Sequence, residues 1–262
     1  MDLEGIRKLK GIERERAIKR LSLQELEDIE PLFIFEICNA IWIHNGIPEA
    51  PHALLTSGKH SDGYIDCSQV LKYSNLKYIL ATKLLHKAIP FIEKCGFSPE
   101  KIDYVVSSSM AAIPLGEGIA NALNSIFLYT EKVDGRQKLK RFEILDGAVV
   151  LQVEELITTL KTTREVREAI LEKNRNVKFV SDKDGKVIVL TLVHRPEKLP
   201  IEYPDFRVFP LIELEIHNWD SEDCPLCRAG SKVLKPKENW ELFLKYNKFL
   251  TKNKIGRWED GV

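Results

Sequence analysis

The residues best suited to chemistry lie close together in the second half of the chain. Glu154 and Glu155 follow a short apolar run. Adjacent carboxylates repel each other, so burying them requires hydrogen-bond donors or a cation. Vicinal sugar hydroxyls or a divalent metal would satisfy them, whereas two solvated acids at the end of a strand would need no ligand. Four hydroxyls follow within six positions, on Thr158, Thr159, Thr162 and Thr163.

The threonines coincide with the predicted start of a helix. Thr162 and Glu165 have the T-x-x-E spacing of a capping box, which predicts a helix over 163–172. The free N–H groups and positive dipole end of such a helix can hold a phosphate, and Lys161 can add an ammonium group. A capped helix beside a solvated lysine is the alternative without a ligand. Carboxylates that can bind sugar hydroxyls lie next to N–H donors that can bind a phosphate. This combination indicates a sugar-phosphate site.

The elements that must position this site alternate along the chain. Short apolar strands interleaved with helices predict an α/β fold with a parallel sheet covered on both faces. In such sheets ligands bind beyond the carboxyl ends of the strands, which is where the two acids fall. The predicted strands are 103–107, 126–130, 149–153 and 187–193, and the helices between them are 114–123 and 163–172.

The first third of the chain predicts helices around a hairpin. Residues 31–45 begin at a proline and end before a glycine, which predicts a helix, and 75–94 predict another that Pro90 ends or kinks. Between them, a polar turn at 57–63 joins two β-like runs as a hairpin with a functional or exposed tip.

The two ends of the chain are expected to lie outside the main domain. Residues 1–30 predict an amphipathic helical extension with Ile18, Leu21 and Leu26 on its apolar face. We expect a main domain over 31–240 and a C-terminal tail over 241–262. The region from 212 onward is expected to form a peripheral helix and loops packed on the sheet.

Composition excludes several classes of protein. The 262 residues include 39 basic and 39 acidic side chains, so a zero net charge favours neither a nucleic-acid nor a membrane partner. No apolar run approaches the roughly 20 residues of a membrane span, and the N-terminus is too charged for a secretory signal. A cytosolic protein is expected. Five scattered cysteines make a disulfide framework improbable.

Cys224 and Cys227 form a C-x-x-C turn, and His217 lies seven residues before it. Structural zinc takes four ligands, usually from two such turns, and the sequence has no second pair. We therefore predict a local turn with free thiols. His60 lies in the polar turn, where it can face a substrate, whereas surface positions are predicted for His44, His52 and His86.

The motifs together resemble a known family. The segment VVLQVEELITTLKTT resembles the phosphoribosyl-pyrophosphate (PRPP) motif of type I phosphoribosyltransferases, in which two acids precede T-G-G-T or T-G-G-S. HALLTSGKHSDGYID is similar to the N-terminal substrate segment of orotate phosphoribosyltransferases. YVVSSSMAAIPLGEGIANAL is similar to their pyrophosphate loop, and FLYTEKVDGRQKLK to their mobile catalytic loop. CPLCRAGSKVLKP resembles a tail found in one branch of the family. The resemblance spans about residues 33–240.

The resemblance implies both a fold and an activity. The fold is a type I phosphoribosyltransferase-like parallel sheet flanked by helices, with a small N-terminal hood region and a helical N-terminal extension. The activity is transfer of ribose 5-phosphate from PRPP to orotate or another base, assisted by Mg²⁺. A homodimer is implied, in which the mobile loop of one subunit reaches the site of the other. No metal site made of protein side chains alone is implied, although Glu154 and Glu155 are candidate contacts for the Mg²⁺ that PRPP carries.

The resemblance also implies roles for individual residues. Glu154 and Glu155 would hold the ribose hydroxyls, although the second acid is usually Asp. Lys59 matches an arginine of the substrate segment, and Arg195 matches one that contacts the orotate carboxylate. The 5-phosphate would lie against Thr158, Thr159, Lys161, Thr162 and Thr163, and pyrophosphate against Ser109, Ala111 and Ala112. Lys132, Arg136 and Lys138 would be the catalytic groups that neutralise departing pyrophosphate.

Several positions depart from the family pattern. Paired glycines of the two phosphate loops are replaced by Leu160 and Lys161 and by Ala111 and Ala112. In addition, Leu55 and Thr56 supply no basic group before Ser-Gly, His194 replaces an Asp, and Tyr129 and Thr130 stand where Arg-Lys is frequent. Two hypotheses follow. One is an active orotate-type transferase with altered loops, and the other is a weak or silent relative that binds PRPP or a nucleotide in a regulatory role.

Overall fold

The computed structural model describes residues 3–248, and helices and strands alternate over 104–194 as predicted. The α-helices of this range are α1 (Leu3–Lys8), α2 (Gly11–Lys19), α3 (Leu23–Glu27), α4 (Pro31–Ile37), α5 (Ser68–Leu71), α6 (Ser74–Lys94), α7 (Ile113–Leu123), α8 (Lys161–Lys173), α9 (Pro225–Arg228) and α10 (Trp240–Lys245). Its strands are β1 (Ile41–Ile43), β2 (His52–Leu54), β3 (His60–Ser61), β4 (Gly63–Ile65), β5 (Tyr104–Ser108), β6 (Ile126–Val133), β7 (Arg136–Lys138), β8 (Val149–Ile157), β9 (Lys178–Phe179), β10 (Val187–His194), β11 (Phe206–Glu213), β12 (Asn218–Trp219) and β13 (Val233–Leu234).

The central sheet confirms the predicted α/β fold. Its strand order is β11-β10-β8-β5-β6-β7, and β9 pairs with the start of β8. The pairs from β11 through β6 are all parallel, and only the β6–β7 pair is antiparallel. The carboxyl ends of β5, β8 and β10 therefore meet at one edge of the sheet.

Both faces of this sheet are covered, which explains the unbroken apolar strands. Val105 packs on one face, within the core that contains α6 and α7, whereas Val106 packs on the other face with Val166 and Ile170 of α8. Gly116 lets α7 lie close to the sheet, because a Cβ there would stand 2.5 Å from the ring of Phe127.

A smaller unit lies beside the main sheet and corresponds to the predicted hood. The predicted hairpin is formed by β2 and β3, but its tip lies between Leu54 and His60, because the second half of the predicted turn forms β3 and the start of β4. The C-terminal segment flanks this hairpin on both sides, since β12 pairs with β3 and β13 pairs with β2. A separate antiparallel pair is formed by β1 and β4.

The N-terminal helices pack on the same core. Ile18, Leu21 and Leu26 are buried as predicted, in one cluster with apolar residues of α6. Asn75 near the start of α6 donates hydrogen bonds to the carbonyls of Ile18 and Leu21, which ties the extension to the domain. No helix within residues 3–248 has both the length and the apolar character needed to span a membrane.

Some predicted elements were wrong. The helix predicted over 31–45 ends at Ile37, because Asn39 takes a left-handed φ of 52° and the next apolar residues form β1. The helix predicted over 75–94 is confirmed as α6, although Pro90 does not end it. The prediction of only a helix and loops after 212 missed β12 and β13, and β11 was also missed. Residues 249–262 of the predicted tail lie outside the described residues.

Candidate functional site

Glu154 and Glu155 lie inside β8, three and two residues before its end. Their strand is flanked by β5 and β10, so both acids lie near the carboxyl edge of the sheet, where the loops leave these neighbours. Glu154 is 4% exposed, and Glu155 is partly buried. The two carboxylates are therefore held by the sheet rather than solvated in a loop.

Only one of the two carboxyl oxygens of Glu154 has a hydrogen-bond partner within residues 3–248. Ser108, the last residue of β5, donates a hydrogen bond to its Oε2 at 2.6 Å, while Oε1 is buried with no partner among residues 3–248. Burial raises the pKa of Glu154 to about 8, because the hydrogen bond from Ser108 only partly offsets the desolvation and the neighbouring charge of Glu155 raises it further. An unpartnered buried acceptor of this kind suits a ligand hydroxyl or a cation.

Glu155 is linked to the hood. Burial also raises the pKa of its carboxyl group, and its backbone carbonyl accepts a hydrogen bond from the Cys67 thiol at 3.7 Å. Because Cys67 directly precedes α5, this contact brings the segment after β4 against the end of β8. The acids thus lie where the main sheet meets the hood.

The loop after β8 contains an unusual leucine. Leu160 has a φ of 62°, the left-handed conformation that glycine adopts without strain. Its side chain is 2% exposed and packs with Ile157, Val189 and Phe206. The side chain of Leu160 is therefore buried in the apolar cluster, and this burial offsets a backbone strain of about 1–2 kcal/mol.

The capping box predicted at Thr162 and Glu165 was wrong. Helix α8 begins at Lys161, and Leu160 is its N-cap without a side-chain cap. Thr162 and Thr163 are consequently helical residues of the first turn. Thr163 is buried and its carbonyl accepts from Gln152, whereas Thr162, Lys161 and Thr159 are exposed and Thr158 is partly buried. The first-turn N–H groups have no partner within the helix.

Two hydrogen-bond networks support the loop between β8 and α8. In the first network, both ring nitrogens of His194 make hydrogen bonds. Nδ1 lies 2.7 Å from the Glu213 carboxylate, and Nε2 lies 3.0 Å from the Tyr203 hydroxyl. The Tyr203 hydroxyl in turn donates to the Thr158 carbonyl at 3.4 Å. His194 thus supports the loop from below.

In the second network, the Arg164 guanidinium makes two hydrogen bonds of 2.9 Å to the Asp205 carboxylate, and its third nitrogen reaches the Thr159 carbonyl at 3.4 Å. This bidentate pair holds the first turn of α8 against the segment that enters β11. Tyr203 and Asp205 were not singled out in the sequence, because only tertiary contact gives them a role.

The predicted pyrophosphate loop joins β5 to α7. Ser109 is partly buried, Ala111 is exposed and Ala112 is fully buried as the N-cap of α7. Neither alanine has a positive φ, so this backbone does not require glycine. The Ser109 N–H donates to the Thr130 carbonyl at 3.0 Å, which couples the loop to β6.

The predicted mobile loop is a hairpin of β6 and β7. Lys132, Arg136 and Lys138 are all exposed on it. Lys132 lies opposite Gln137, whose buried side chain accepts a hydrogen bond from Thr130, whereas Arg136 and Lys138 lie on the other face because strand side chains alternate. The three basic groups are thus presented in two directions.

Arg195 follows β10 and is largely buried. Its Nε and Nη1 have no hydrogen-bond partner within residues 3–248. Burial lowers the pKa of this guanidinium, and nearby Cys67, Tyr64 and Asp62 partly offset the effect. The cation therefore faces the hood segment around β4 with donors free for an anion.

Lys59 lies at the tip of the β2–β3 hairpin. Its ammonium group pairs with Asp220 at 3.5 Å, and both side chains are well exposed. The tip is closed by two backbone hydrogen bonds, from Leu55 to Lys59 and from Gly58 to Leu55. An ion pair this exposed contributes little to the stability of the fold, so Lys59 can exchange Asp220 for a ligand.

A second polar cluster lies within the hood, and the sequence did not predict it. The side chains of His52, His60, Cys224 and Cys227 converge, with all four donor atoms within 4.8 Å of one another. The surface position predicted for His52 was wrong, because it is fully buried in β2. His44, predicted at the surface, is also buried, whereas His86 is exposed on α6 as predicted.

Comparison with known proteins identifies the family. No family model matches the chain. It is 35% identical over 187 residues to an orotate phosphoribosyltransferase of Caldicellulosiruptor bescii, covering 71% of this chain and 87% of that protein. The chain belongs to the orotate phosphoribosyltransferase family. An orotate phosphoribosyltransferase of a Thermoanaerobacter species is 32% identical over 194 residues, covering 73% of this chain and 90% of that protein.

The fold of the family is present as well. The crystal structure of orotate phosphoribosyltransferase from Aeropyrum pernix aligns with a TM-score of 0.50 at 17% identity, covering 69% of this chain and 91% of that one. The predicted type I phosphoribosyltransferase fold is therefore confirmed.

Proposed function

We propose that this chain transfers the ribose 5-phosphate group of PRPP to a ring nitrogen of orotate, releasing pyrophosphate. One bond forms between the nitrogen and the anomeric carbon, and the bond from that carbon to the pyrophosphate oxygen breaks. The observation that carries the proposal is the buried Arg195 guanidinium with two free donors, facing the hood beside the acids of β8. A planar carboxylate is the natural partner of a guanidinium.

The PRPP ribose would lie against Glu154 and Glu155. The free Oε1 of Glu154 can accept a hydrogen bond from one hydroxyl, which would satisfy an atom that is otherwise buried without a partner. The 5-phosphate would lie against the N–H groups of the first turn of α8, with Thr158, Thr159 and Thr162 as hydroxyl donors. The burial of Thr163 favours a packing role for that residue.

The acidic pair also fits the Mg²⁺ that PRPP carries. Carboxylate oxygens are ligands that Mg²⁺ takes, and Glu154 has one oxygen free while Glu155 lies beside it. When bound, the ion would neutralise part of the charge that grows on pyrophosphate. The chain itself would supply Lys132, Arg136 and Lys138 from the β6–β7 hairpin for the same purpose. Because these groups are exposed on two faces, closure of the hairpin over the site would engage only some of them.

The direct test is formation of orotidylate from orotate, PRPP and Mg²⁺, followed by its absorbance. The Arg195→Ala variant should raise the KM for orotate by about 10- to 100-fold, as expected for loss of a charged hydrogen bond, and leave PRPP binding unchanged. Arg175→Ala removes an exposed arginine just beyond the C-terminal end of α8 and serves as the control. An unchanged KM for orotate in Arg195→Ala would contradict the assignment of the base site.

The alternative is a relative that binds PRPP or a nucleotide without turnover. The glycine replacements at Leu160 and Lys161 favour it, although burial of Leu160 supports an open phosphate loop. Calorimetric binding of PRPP with Mg²⁺ and no orotidylate formed would establish this alternative. Absence of binding by both PRPP and orotidylate would contradict both proposals.

We also propose that the chain acts as a homodimer, with the β6–β7 hairpin of one subunit over the site of the other. Mixing an inactive Glu154→Gln chain with an inactive Lys132→Ala chain tests this arrangement. Recovery of up to about a quarter of the wild-type activity is expected if Lys132 acts across the interface. No recovery in a mixture that has exchanged subunits would contradict a shared site.

A further inference from the structure

We propose that His52, His60, Cys224 and Cys227 bind one zinc ion. The site is separate from the acids of β8 and fastens the C-terminal segment onto the β2–β3 hairpin. Two ligands come from this hairpin, and two come from the C-x-x-C turn at the start of α9. The prediction of a turn without further ligands considered only neighbours in sequence, and Cys224 is 172 residues from His52.

Four of the six distances between the donor atoms are close to those of a tetrahedral site. Nε2 of His52 lies 3.1 Å from Nδ1 of His60 and 3.6 Å and 3.4 Å from the sulfurs of Cys224 and Cys227. The Cys227 sulfur lies 3.3 Å from Nδ1 of His60. Two imidazoles and two thiolates around zinc stand about 3.3 Å apart between nitrogens and about 3.5 Å from nitrogen to sulfur. Two sulfurs and two nitrogens are also a donor set that zinc prefers.

The hydrogen bonds around His52 set its protonation. The Ser231 hydroxyl donates its hydrogen to the Ala50 carbonyl at 2.6 Å, so it can only accept from Nδ1 of His52, which lies 2.9 Å away. His52 therefore carries its proton on Nδ1, and its Nε2 lone pair points at the cluster. A histidine that binds a metal usually donates its other ring N–H to an acceptor that fixes the ring, and the Ser231 hydroxyl is that acceptor here.

The Nε2 lone pair of His52 cannot accept a hydrogen bond from every group around it. Nδ1 of His60 and the thiols of Cys224 and Cys227 all converge on Nε2 of His52, which accepts one hydrogen bond at most. His52 and Cys224 are fully buried, so solvent does not complete the arrangement there. One divalent cation would accept all four lone pairs and balance the two thiolates, leaving the cluster neutral.

The position of the cluster indicates what the zinc does. His52 and His60 lie on one face of the hairpin, because His60 is opposite Leu54, two residues from His52. The C-terminal strands β12 and β13 pair with the outer edges of that hairpin through only two residue pairs each. Such short pairings are weak by themselves, so the zinc would hold the C-terminal segment and hairpin together.

Metal content of the full chain, purified without chelators or affinity metal, is the first test. One zinc per chain is expected in the wild type, and replacement by Co²⁺ should give the visible bands of tetrahedral cobalt with thiolate charge-transfer absorption. Cys227→Ser and His52→Ala should lose the metal. Cys95→Ser and His86→Ala should keep it, because Cys95 and His86 lie outside the cluster.

Thermal unfolding of the wild type makes the test independent of variants that fail to fold. A chelator should lower the unfolding temperature by roughly 10 °C, because zinc binds the folded chain, and added zinc should restore it. The same shift is expected in Cys95→Ser. Wild-type protein without metal that gains no cobalt spectrum would overturn the proposal, as would a Cys224–Cys227 disulfide in the purified chain.

Discussion

The loops after β5 and β8 hold corresponding places at the carboxyl edge of the sheet, and both carry other residues where the resemblance implies paired glycines. Their backbones differ. Leu160 after β8 has a φ of 62°, whereas Ala111 and Ala112 after β5 have ordinary negative φ values. A non-glycine residue therefore requires a strained φ at Leu160 and not at Ala111 or Ala112. Its cost depends on the backbone conformation at each position.

The side chains of Leu160 and Ala112 also pack in different places. Leu160 packs its side chain into the cluster with Ile157 and Phe206, and this burial offsets the strain. Ala112 fills a fully buried position at the start of α7. The hydrogen bond from Ser108 to Glu154 joins the strands that carry the two loops. Four predictions test the comparison between these loops.

The largest effect is expected at Glu154, where the strands of both loops meet. Burial raises its pKa to about 8 from an unfolded value of 4.5, so the folded chain binds a proton that the unfolded chain releases over this range. The resulting stability is present below about pH 4.5 and is lost as pH rises through about 8. The free energy of unfolding should fall by as much as about 5 kcal/mol across this window.

Glu154→Gln mimics the protonated acid and should flatten this part of the pH dependence. Denaturant unfolding of wild type and variant between pH 5 and pH 9 measures the difference. Parallel curves for the two proteins would show that Glu154 titrates normally and that the junction of the loops is hydrated.

The second effect separates strain from burial in the loop after β8. Leu160→Ala should lower the free energy of unfolding by about 2–4 kcal/mol, since it empties a buried site. Leu160→Gly should be more stable than Leu160→Ala by about 1 kcal/mol, because glycine accepts the left-handed φ. Chemical denaturation of the three proteins gives both differences. A glycine variant less stable than the alanine variant would mean that the backbone is unstrained.

The third effect is expected in the loop after β5, where a glycine should lower stability because it relieves no strain. Ala112→Gly should lower the free energy of unfolding by about 0.5–1 kcal/mol, because its negative φ gains nothing from glycine and the unfolded chain gains entropy. Ala111→Gly is the exposed control in the same loop. Stabilisation by Ala112→Gly would remove the contrast between the two loops.

The smallest effect is expected at Lys161. The residue is exposed in the first turn of α8 and stands where the resemblance implies a glycine, beside the proposed phosphate site. Lys161→Gly should weaken PRPP binding by a factor of about 2–5, the size of a solvent-exposed charge interaction. Calorimetric titration with PRPP and Mg²⁺ measures it, with Lys183→Gly as a matched change in a distant turn. Tighter binding by Lys161→Gly would mean that the side chain obstructs the pocket.

Most of the main sheet was predictable because its signals are local. The strands that became β5, β8 and β10 are continuous apolar runs, and α7 and α8 follow them with helical periodicity. By contrast, β11 contains Pro210, which argues against a strand. The proline is tolerated because β11 is at the edge of the sheet, where one side of the strand needs no ladder hydrogen bonds.

The candidate site was predictable in part. The acids, the threonine-rich turn and the two loops follow from residue type and order, and β8 delivers the acids to the expected edge. The capping box failed because α8 begins at Lys161, where the chain turns at Leu160 to bury its side chain. Propensity at one helix end was outweighed by apolar burial. Roles for Ser108, Tyr203 and Asp205 depend on contacts that no local pattern carries.

The sequence by itself determined the alternation of strands and helices and the pair of acids at the end of β8, because these depend on neighbours within a few residues. Tertiary structure alone decided that Leu160 points into the core and that burial raises the pKa of Glu154 to about 8. It also decided that His52 and His60 meet Cys224 and Cys227. Burial, charge and metal geometry depend on which distant strands pair and in what register, and local periodicity does not specify that register.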